Sequence, residues 1–211
     1  MSLLGKLFNF VVLTTKKYSI DESHGIKHSM DVLHYASDIF LNQIKKEPLL
    51  KKHERIIYIS AILHDMCDKK YMDEIEGIEL IEHFLKEKIP KEEIHITKKI
   101  ISTMSYSKVK KNGFPILHEH QMAYHIVREA DLLSAYDFDR CIIYNLHHAS
   151  GDINTAFTVA ENLFDNRVFQ HFNDELFVTD YSKNKALDLE SNALLRINSW
   201  RKLAKNNLFT L

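Results

Sequence analysis

The sequence predicts an all-α protein, and two observations lead to this prediction. Glycine and proline are scarce: the 211 residues include 5 Gly and 3 Pro, about 4% together, against an average of about 12%. Sandwiches, barrels and doubly wound sheets need many tight turns or glycine-rich loops, which so few of these residues cannot supply. Apolar residues also recur at helical spacing along most of the chain. Because no Gly-x-Gly occurs, the fingerprint of dinucleotide-binding folds is excluded as well.

The first half of the chain predicts five helices. The N-terminal one carries an apolar run interrupted by Lys6 and Asn9, which is too short to cross a membrane and is typical of a helix packed on the domain. The second follows the cap-like Asp21 and stops before Pro48. The fourth is amphipathic, and Pro90 lies at the start of the fifth. The predicted ranges are about 2–15, 24–46, 49–64, 73–87 and 90–104.

The second half predicts a polar loop at 105–115 and a long helix over about 118–148, broken near Tyr136. Helices over about 153–169 and 183–206 complete the chain, the last with an apolar seam at Leu187, Leu194, Ile197, Trp200 and Leu203. No linker, repeat or low-complexity tract divides the sequence. We therefore expect one domain over 1–211, with a metal-site core of about 20–145 and C-terminal helices of about 152–206 packed on it.

Charge and cysteine content narrow the function classes. Lys and Arg number 28 and Asp and Glu 29, for a net charge of -1. This balance lacks the basic footprint of nucleic-acid or anionic-membrane binding, so neither a stable nucleic-acid partner nor a membrane is expected. Two cysteines do not form a disulfide framework and indicate a reduced, cytoplasmic protein. The oligomeric state is left open.

Four polar residues stand among apolar neighbours on predicted helices. They are His28, the adjacent pair His64 and Asp65, and Asp131. Burying an aspartate costs several kcal/mol unless it is paired or bound to a metal. Two imidazoles and two carboxylates form a mixed nitrogen and oxygen set suited to one divalent ion such as Mn, Fe, Co, Ni or Zn, with Mg also admitted. A water on such an ion loses a proton near neutral pH and becomes a nucleophile.

The ordered set resembles the HD-domain superfamily of metal-dependent phosphohydrolases. The apolar segment ending in His64 and Asp65 resembles the family's central motif, His28 with Val32 its first motif, and Asp131 in Ala-Asp-Leu-Leu its last. The likeness covers about half the chain, from His24 to roughly Tyr136. It is strongest to the small stand-alone members, in which the pair is followed by Asp-x-Lys and an aromatic residue, here Asp68, Lys70 and Tyr71.

The resemblance implies an HD-type helical bundle that binds metal through His28, His64, Asp65 and Asp131. Asp65 and Asp68 would then be catalytic, with helix capping as the alternative for Asp68. One departure is that Asp31 stands where the family commonly has arginine before the valine.

Substrate phosphate would meet Lys70, Arg128 and His24. Each has an alternative role, as an ion-paired residue (Arg128 with Asp31, for example) or as a capping or surface histidine. Five further histidines lie between the pair and Asp131, and surface or helix-end positions are expected for them: His83, His95, His118, His120 and His125.

The function implied by the resemblance is hydrolysis of a small phosphorylated molecule, most simply a nucleotide. A pyrophosphohydrolase, a nucleotidase and a phosphodiesterase remain open within that class. Two alternatives lie outside it: a non-catalytic metal or nucleotide sensor that has kept the fold, and an HD-type oxygenase with a di-iron centre.

Overall fold

The computed structural model describes residues 1–148 and 151–204, and within these ranges the secondary structure is entirely helical. The 3-10 segments of the described residues are Glu22–His24, Pro48–His53, His118–His120 and Val168–Gln170. The α-helices are α1 (Leu3–Lys17), α2 (Ile26–Gln43), α3 (Glu54–Leu63), α4 (Glu74–Leu85), α5 (Lys91–Thr103), α6 (Tyr106–Asn112), α7 (Gln121–Ser134), α8 (Phe138–His148), α9 (Ile153–Asn166) and α10 (Asp180–Ala204). The all-α prediction is confirmed.

The chain separates into two compact units, Met1–Asp131 and Leu132–Leu211. All four residues of the expected metal set belong to the first unit. The expectation of a single domain over 1–211, with a core of about 20–145 carrying the C-terminal helices, stays a prediction. Among the described residues, no helix is both long enough and apolar enough to span a membrane.

Most helix positions agree with the sequence expectations, and the exceptions have local causes. The predicted loop at 105–115 contains α6, because Val109 is buried and the Lys108 ammonium pairs with Glu74 and donates to the Ser102 carbonyl at 2.8 Å. These contacts come from other helices and leave no trace in the local sequence. The predicted break near Tyr136 separates α7 from α8. The predicted end of the last helix at 206 lies outside the described residues.

The core of the first unit is formed where α1, α3 and α4 pack their apolar faces together. Leu7 and Val11 of α1 are buried beside Ile62 and Leu63 of α3 and Ile81 of α4. The rings of Phe10 and Phe84 stack with centroids 4.4 Å apart. The N-terminal helix is thus packed on the unit, as the sequence predicts. This packing holds α3, the helix that runs into His64 and Asp65.

Gly77 on α4 allows that helix to approach the turn that follows α3 very closely. A Cβ built on Gly77 would lie 2.6 Å from the Cys67 Cα and 2.7 Å from its Cβ. Real side chains do not tolerate such contacts, so any larger residue would push α4 away from the turn that follows the His64 and Asp65 pair. The Cys67 thiol, in turn, lies 3.9 Å from the His64 carbonyl oxygen.

The second unit has an aromatic core and an ion pair at its rim. Phe138 of α8 packs against Phe164 of α9, with ring centroids 5.0 Å apart. The Asp139 carboxylate accepts from Arg196 Nε at 2.9 Å and from the Trp200 indole N–H at 2.7 Å.

The predicted apolar seam of α10 is wrong in most of its members. Ile197 is buried, but Leu187, Leu194 and Leu203 are exposed and Trp200 is half-buried. Small residues, Ala186 and Ala193, take the buried positions instead. The reason is that a helical pattern gives the spacing of apolar residues but does not say which of them meets a neighbour.

We predict that Gly77→Ala destabilises the protein by about 1–3 kcal/mol, because the new methyl group overlaps the Cys67 backbone. The measurement is the free energy of unfolding from urea denaturation. Gly5→Ala on α1 is the matched control, since its Cβ meets only the side chains of Met1 and Ser2 at the chain start, and it should be neutral or stabilising. A Gly77→Ala protein as stable as wild type would contradict the close-packing argument.

Candidate metal centre

Three helices bring the four predicted ligands together in the first unit. His28 lies in the first turn of α2, whose N-cap is Gly25. His64 and Asp65 follow the last residue of α3, and Asp131 lies in the last turn of α7. His28 and His64 are buried, whereas the side chains of Asp65 and Asp131 keep 14% and 28% of their exposure. The cluster is therefore buried on its histidine side and open on its carboxylate side.

The ligand atoms of these residues converge on one point. The Nε2 atoms of His28 and His64 are 3.0 Å apart. Asp65 Oδ2 lies 3.1 Å from the first and 3.3 Å from the second, and Asp131 Oδ1 lies 3.6 Å from both. The ligand atoms of His28, His64 and Asp65 all lie within 4.8 Å of one another, which is close enough for them to hold one metal ion.

The backbone of α3 sets the orientation of the His64 ring. Its Nδ1 lies 2.9 Å from the Ala61 carbonyl oxygen, which can only accept a hydrogen bond. Nδ1 therefore carries a hydrogen, and in the neutral ring Nε2 presents its lone pair to the cluster. Metal-binding histidines are held in this way in many proteins, by a hydrogen bond from the other ring nitrogen.

The donor set fits a divalent cation. Asp65 Oδ2 is a buried carboxylate oxygen that accepts no hydrogen bond of normal geometry, although both imidazole nitrogens are close to it. A buried carboxylate oxygen in this state is costly unless a positive charge faces it. A metal ion between the nitrogens and the carboxylates would supply that charge and coordinate the lone pairs of these atoms.

The pKa shifts of His64, Asp65 and Asp131 also indicate that a positive charge is favoured in the cluster. Burial by itself lowers the pKa of His64, but the carboxylates of Asp65 and Asp131 outweigh it and raise that pKa well above the ordinary value. Burial likewise raises the pKa of both carboxyl groups, but the imidazoles of His64 and His28 hold it well below the usual range. Without metal, protons provide the positive charge, and a bound cation would take their place.

A second polar cluster adjoins the first through His24, whose ring centroid lies 6.1 Å from that of His28. Lys70 Nζ donates to His24 Nε2 at 3.0 Å, so the hydrogen of the neutral ring is on Nδ1, which donates to Ser23 Oγ at 2.7 Å. Ser23 Oγ and the Tyr71 hydroxyl both donate to the Asp21 carboxylate. The expected substrate-binding residues His24 and Lys70 are thus in direct contact.

Asp21 anchors this cluster and was expected only to cap a helix. It does cap the 3-10 turn Glu22–His24, accepting from the Ser23 N–H at 2.9 Å. Burial alone would raise the pKa of Asp21, but the nearby His24 ring and the hydrogen bonds from Ser23 and Tyr71 lower it well below the usual range. The bond to Tyr71 joins segments far apart in the chain, and no sequence pattern signals it.

Asp68 follows Asp65 by one turn, and its carboxylate is already engaged. Oδ1 accepts from the backbone N–H of Lys70 at 2.9 Å, and Oδ2 lies 3.2 Å from Lys70 Nζ. The capping alternative therefore describes part of what Asp68 does, because it orders the turn that carries Lys70. Lys70 bridges Asp68 and His24, so these three expected site residues form one network.

Arg128, the third expected contact for substrate phosphate, is 1% exposed, and that role stays a prediction. Its alternative pairing with Asp31 is not formed: Asp31 pairs with Lys27 at 2.6 Å, and Arg128 Nη2 lies 3.2 Å from Glu129 Oε1. Burial lowers the pKa of Arg128, although Glu129 opposes this shift.

The other histidines of the interval give no second cluster in the described part of the chain. His83, His95 and His118 are exposed, as expected. His125 is buried, against expectation, because it lies on the inner face of α7. An open cleft of about 600 Å³ is lined by His53, His95 and His120 and shares no residue with the candidate metal centre.

Comparisons with known proteins identify a similar fold but assign no activity. No family model and no curated protein matches the sequence. The fold is similar to that of a crystal structure of a Lactobacillus plantarum protein determined in a structural-genomics programme. The TM-score is 0.70 at 18% identity, over 94% of this chain and 95% of that chain. At this identity the likeness shows the all-helical fold alone.

We predict that Asp65→Asn abolishes stoichiometric binding of Mn, Co, Ni or Zn. The amide removes the charge that faces the two Nε2 atoms but keeps the shape of the side chain. Elemental analysis after metal incubation and buffer exchange measures the loss, and circular dichroism checks that the helices remain.

Asp31→Asn is the matched control for Asp65→Asn. It removes the same charge three residues from His28, at a carboxylate that is 34% exposed and paired with Lys27. The control should keep the metal content of the wild type. An Asp65→Asn protein that retains its full metal content would refute the assignment.

Proposed function

We propose that this protein is a metal-dependent phosphohydrolase of the HD type that acts on a small phosphorylated molecule, most simply a nucleotide. The observation that carries the proposal is the convergence of two imidazole nitrogens and two carboxylate oxygens from three helices on one point. The residue order and the neighbouring Asp68, Lys70 and Tyr71, which resemble the HD superfamily, are the second support.

The side chains proposed to coordinate the ion are those of His28, His64, Asp65 and Asp131. A bound divalent cation supplies Lewis acidity and lowers the pKa of a water molecule enough to make it a nucleophile near neutral pH. His64 presents Nε2 because Ala61 holds its other nitrogen. The carboxylate side of the cluster is the more exposed one, so substrate would approach from there.

Asp68, Lys70 and His24 are the proposed contacts beyond the ion. Lys70 carries a full positive charge and is 43% exposed, which suits it to meet a phosphate oxygen. Its contact with Asp68 orients that carboxylate, which is the proposed proton acceptor. His24 holds Lys70 from the opposite side. Binding, orientation and proton acceptance would thus fall to residues that already touch one another.

A small substrate is favoured over a polymer because the net charge of -1 provides no extended basic surface. A nucleotide carries phosphate groups that could contact the metal ion and Lys70. We place the reaction in the cytoplasm, on the grounds that both cysteines, Cys67 and Cys141, are unpaired.

We predict hydrolysis of at least one nucleoside mono-, di- or triphosphate when the protein is assayed with Mn, Co, Ni or Mg. Asp65→Asn should lose turnover together with metal, whereas Asp31→Asn should keep both. Phosphate, pyrophosphate or an opened ester as product would assign the nucleotidase, pyrophosphohydrolase or phosphodiesterase class. Tight nucleotide binding without turnover in any metal would favour the sensor instead. Two irons per purified chain would favour the oxygenase.

We predict that Lys70→Met raises KM for the substrate about tenfold or more, because the ammonium would no longer meet a phosphate oxygen. Steady-state kinetics measures the effect, and metal content should stay unchanged. The control is Lys69→Met, a neighbouring exposed lysine, which should leave KM near the wild-type value. Equal effects of the two substitutions would refute the role of Lys70.

A further inference from the structure

Arg128 is a buried cation whose hydrogen bonds are incomplete. The residue is 1% exposed, and its Nε and Nη1 atoms are buried without a hydrogen-bond partner. These two atoms carry more than half of the N–H donors of a guanidinium group. A buried donor to which nothing is bonded costs about 1–3 kcal/mol. Such a cost at a charged group, one turn from the ligand Asp131, indicates that an acceptor is missing.

The third nitrogen, Nη2, is also less well satisfied than its distances suggest. It lies 3.2 Å from Glu129 Oε1 and 3.4 Å from His125 Nδ1. The state of His125 follows from its other nitrogen. Gln121 Oε1 accepts from the Leu117 N–H at 2.9 Å, which orients the amide so that Gln121 Nε2 donates to His125 Nε2 at 3.2 Å.

A neutral imidazole has one acceptor nitrogen, and in His125 it is used by Gln121. Its hydrogen is therefore on Nδ1, so the contact between His125 Nδ1 and Arg128 Nη2 joins two donors. The ring is neutral, because burial and the nearby Arg128 charge lower the pKa of His125 to about 4. Two donors from one helix face each other, and an acceptor oxygen beside them would satisfy both.

Phe114 covers these donors. The Arg128 guanidinium carbon lies 4.7 Å from the centroid of the Phe114 ring, and the His125 ring meets it edge-on at 5.0 Å. An aromatic face attracts a cation but cannot replace the oxygen acceptors that the N–H groups require. The ring is itself 39% exposed, so solvent reaches its outer side.

The segment that carries Phe114 is partly exposed. Gly113 before it has φ 72° and His118 after it has φ 48°, both in the left-handed region. A Cβ on Gly113 would meet nothing within 4 Å, and Ile116 is 81% exposed. Phe114 therefore lies in the exposed part of this segment, whereas Leu117 is buried and its N–H donates to Gln121 Oε1, which fixes the end of the segment.

We propose that Arg128 and His125 form a binding site for an anionic oxygen group, the phosphoryl group of the substrate, and that Phe114 occupies this position in the ligand-free protein. This inference rests on the proposed function and deepens it, since it assigns a second contact for phosphate on the Asp131 helix. Glu129 neutralises part of the Arg128 charge and holds Nη2, so recognition depends on the donors of Nε, Nη1 and His125 Nδ1 more than on net charge.

The test is calorimetric titration of inorganic phosphate into chelator-treated protein, which needs neither metal nor turnover. Phe114→Ala should bind phosphate several-fold more tightly than wild type, because the ring no longer competes for the donors. Arg128→Gln should bind it about tenfold or more weakly, the scale of hydrogen bonds to a charged group. Arg128→Lys should weaken binding similarly, since it keeps the charge but loses the Nε and Nη1 donors.

Arg55→Gln is the matched control, because it removes the same charge in the same unit at an exposed arginine paired with Glu93. It should bind phosphate like the wild type. Wild-type affinity in Arg128→Gln would overturn the inference. If that variant does not fold, Phe114→Ala decides, and phosphate affinity unchanged from wild type in Phe114→Ala would overturn it as well.

The two proposals fail separately. Phosphate binding that depends on Arg128, without turnover of any nucleotide, would keep the anion site and remove the enzymatic proposal. Turnover that depends on Asp65, with phosphate binding indifferent to Phe114 and Arg128, would keep the phosphohydrolase and remove this site.

Discussion

The contact between two imidazoles and two carboxylates is the interaction on which the candidate site depends. The two imidazole nitrogens lie 3.0 Å apart and each carboxylate oxygen lies 3.1–3.6 Å from both of them, and the histidines are buried. Groups of these charges remain together only when a proton or a metal ion lies among them. The ends of α3 and α7 and the start of α2 must meet at this point. The packing of these three helices therefore positions the two imidazoles and the two carboxylates.

The rest of the first unit holds that arrangement in place. The Ala61 carbonyl sets the tautomer of His64, and Gly77 lets α4 pack against the turn that follows it. Asp21 ties the start of α2 to Tyr71 and thereby to the turn containing Lys70. None of these contacts involves a proposed ligand atom directly, yet each one limits how far the ligands can move.

Much of the fold was predictable because it is local. Scarce glycine, apolar residues at helical spacing and the proline stops gave nearly all of the helices, since hydrophobic periodicity and capping act within a few turns. Helix α6 was missed because contacts of Lys108 with Glu74 and the Ser102 carbonyl stabilise it, and these are tertiary. The α10 seam failed for a related reason, since periodicity does not say which leucines meet a neighbour.

The sequence by itself determined the all-α class and the identity of the four candidate ligands. The apolar residues recur at helical spacing, and the types and order of the four polar residues can be read directly from the sequence. Only the tertiary structure decided which groups share a contact. It joined His24 to Lys70, and it buried Arg128 beneath Phe114, beside Glu129 instead of Asp31. Hydrogen-bond partners and burial depend on the distance between helices, and helical periodicity carries no information about that distance.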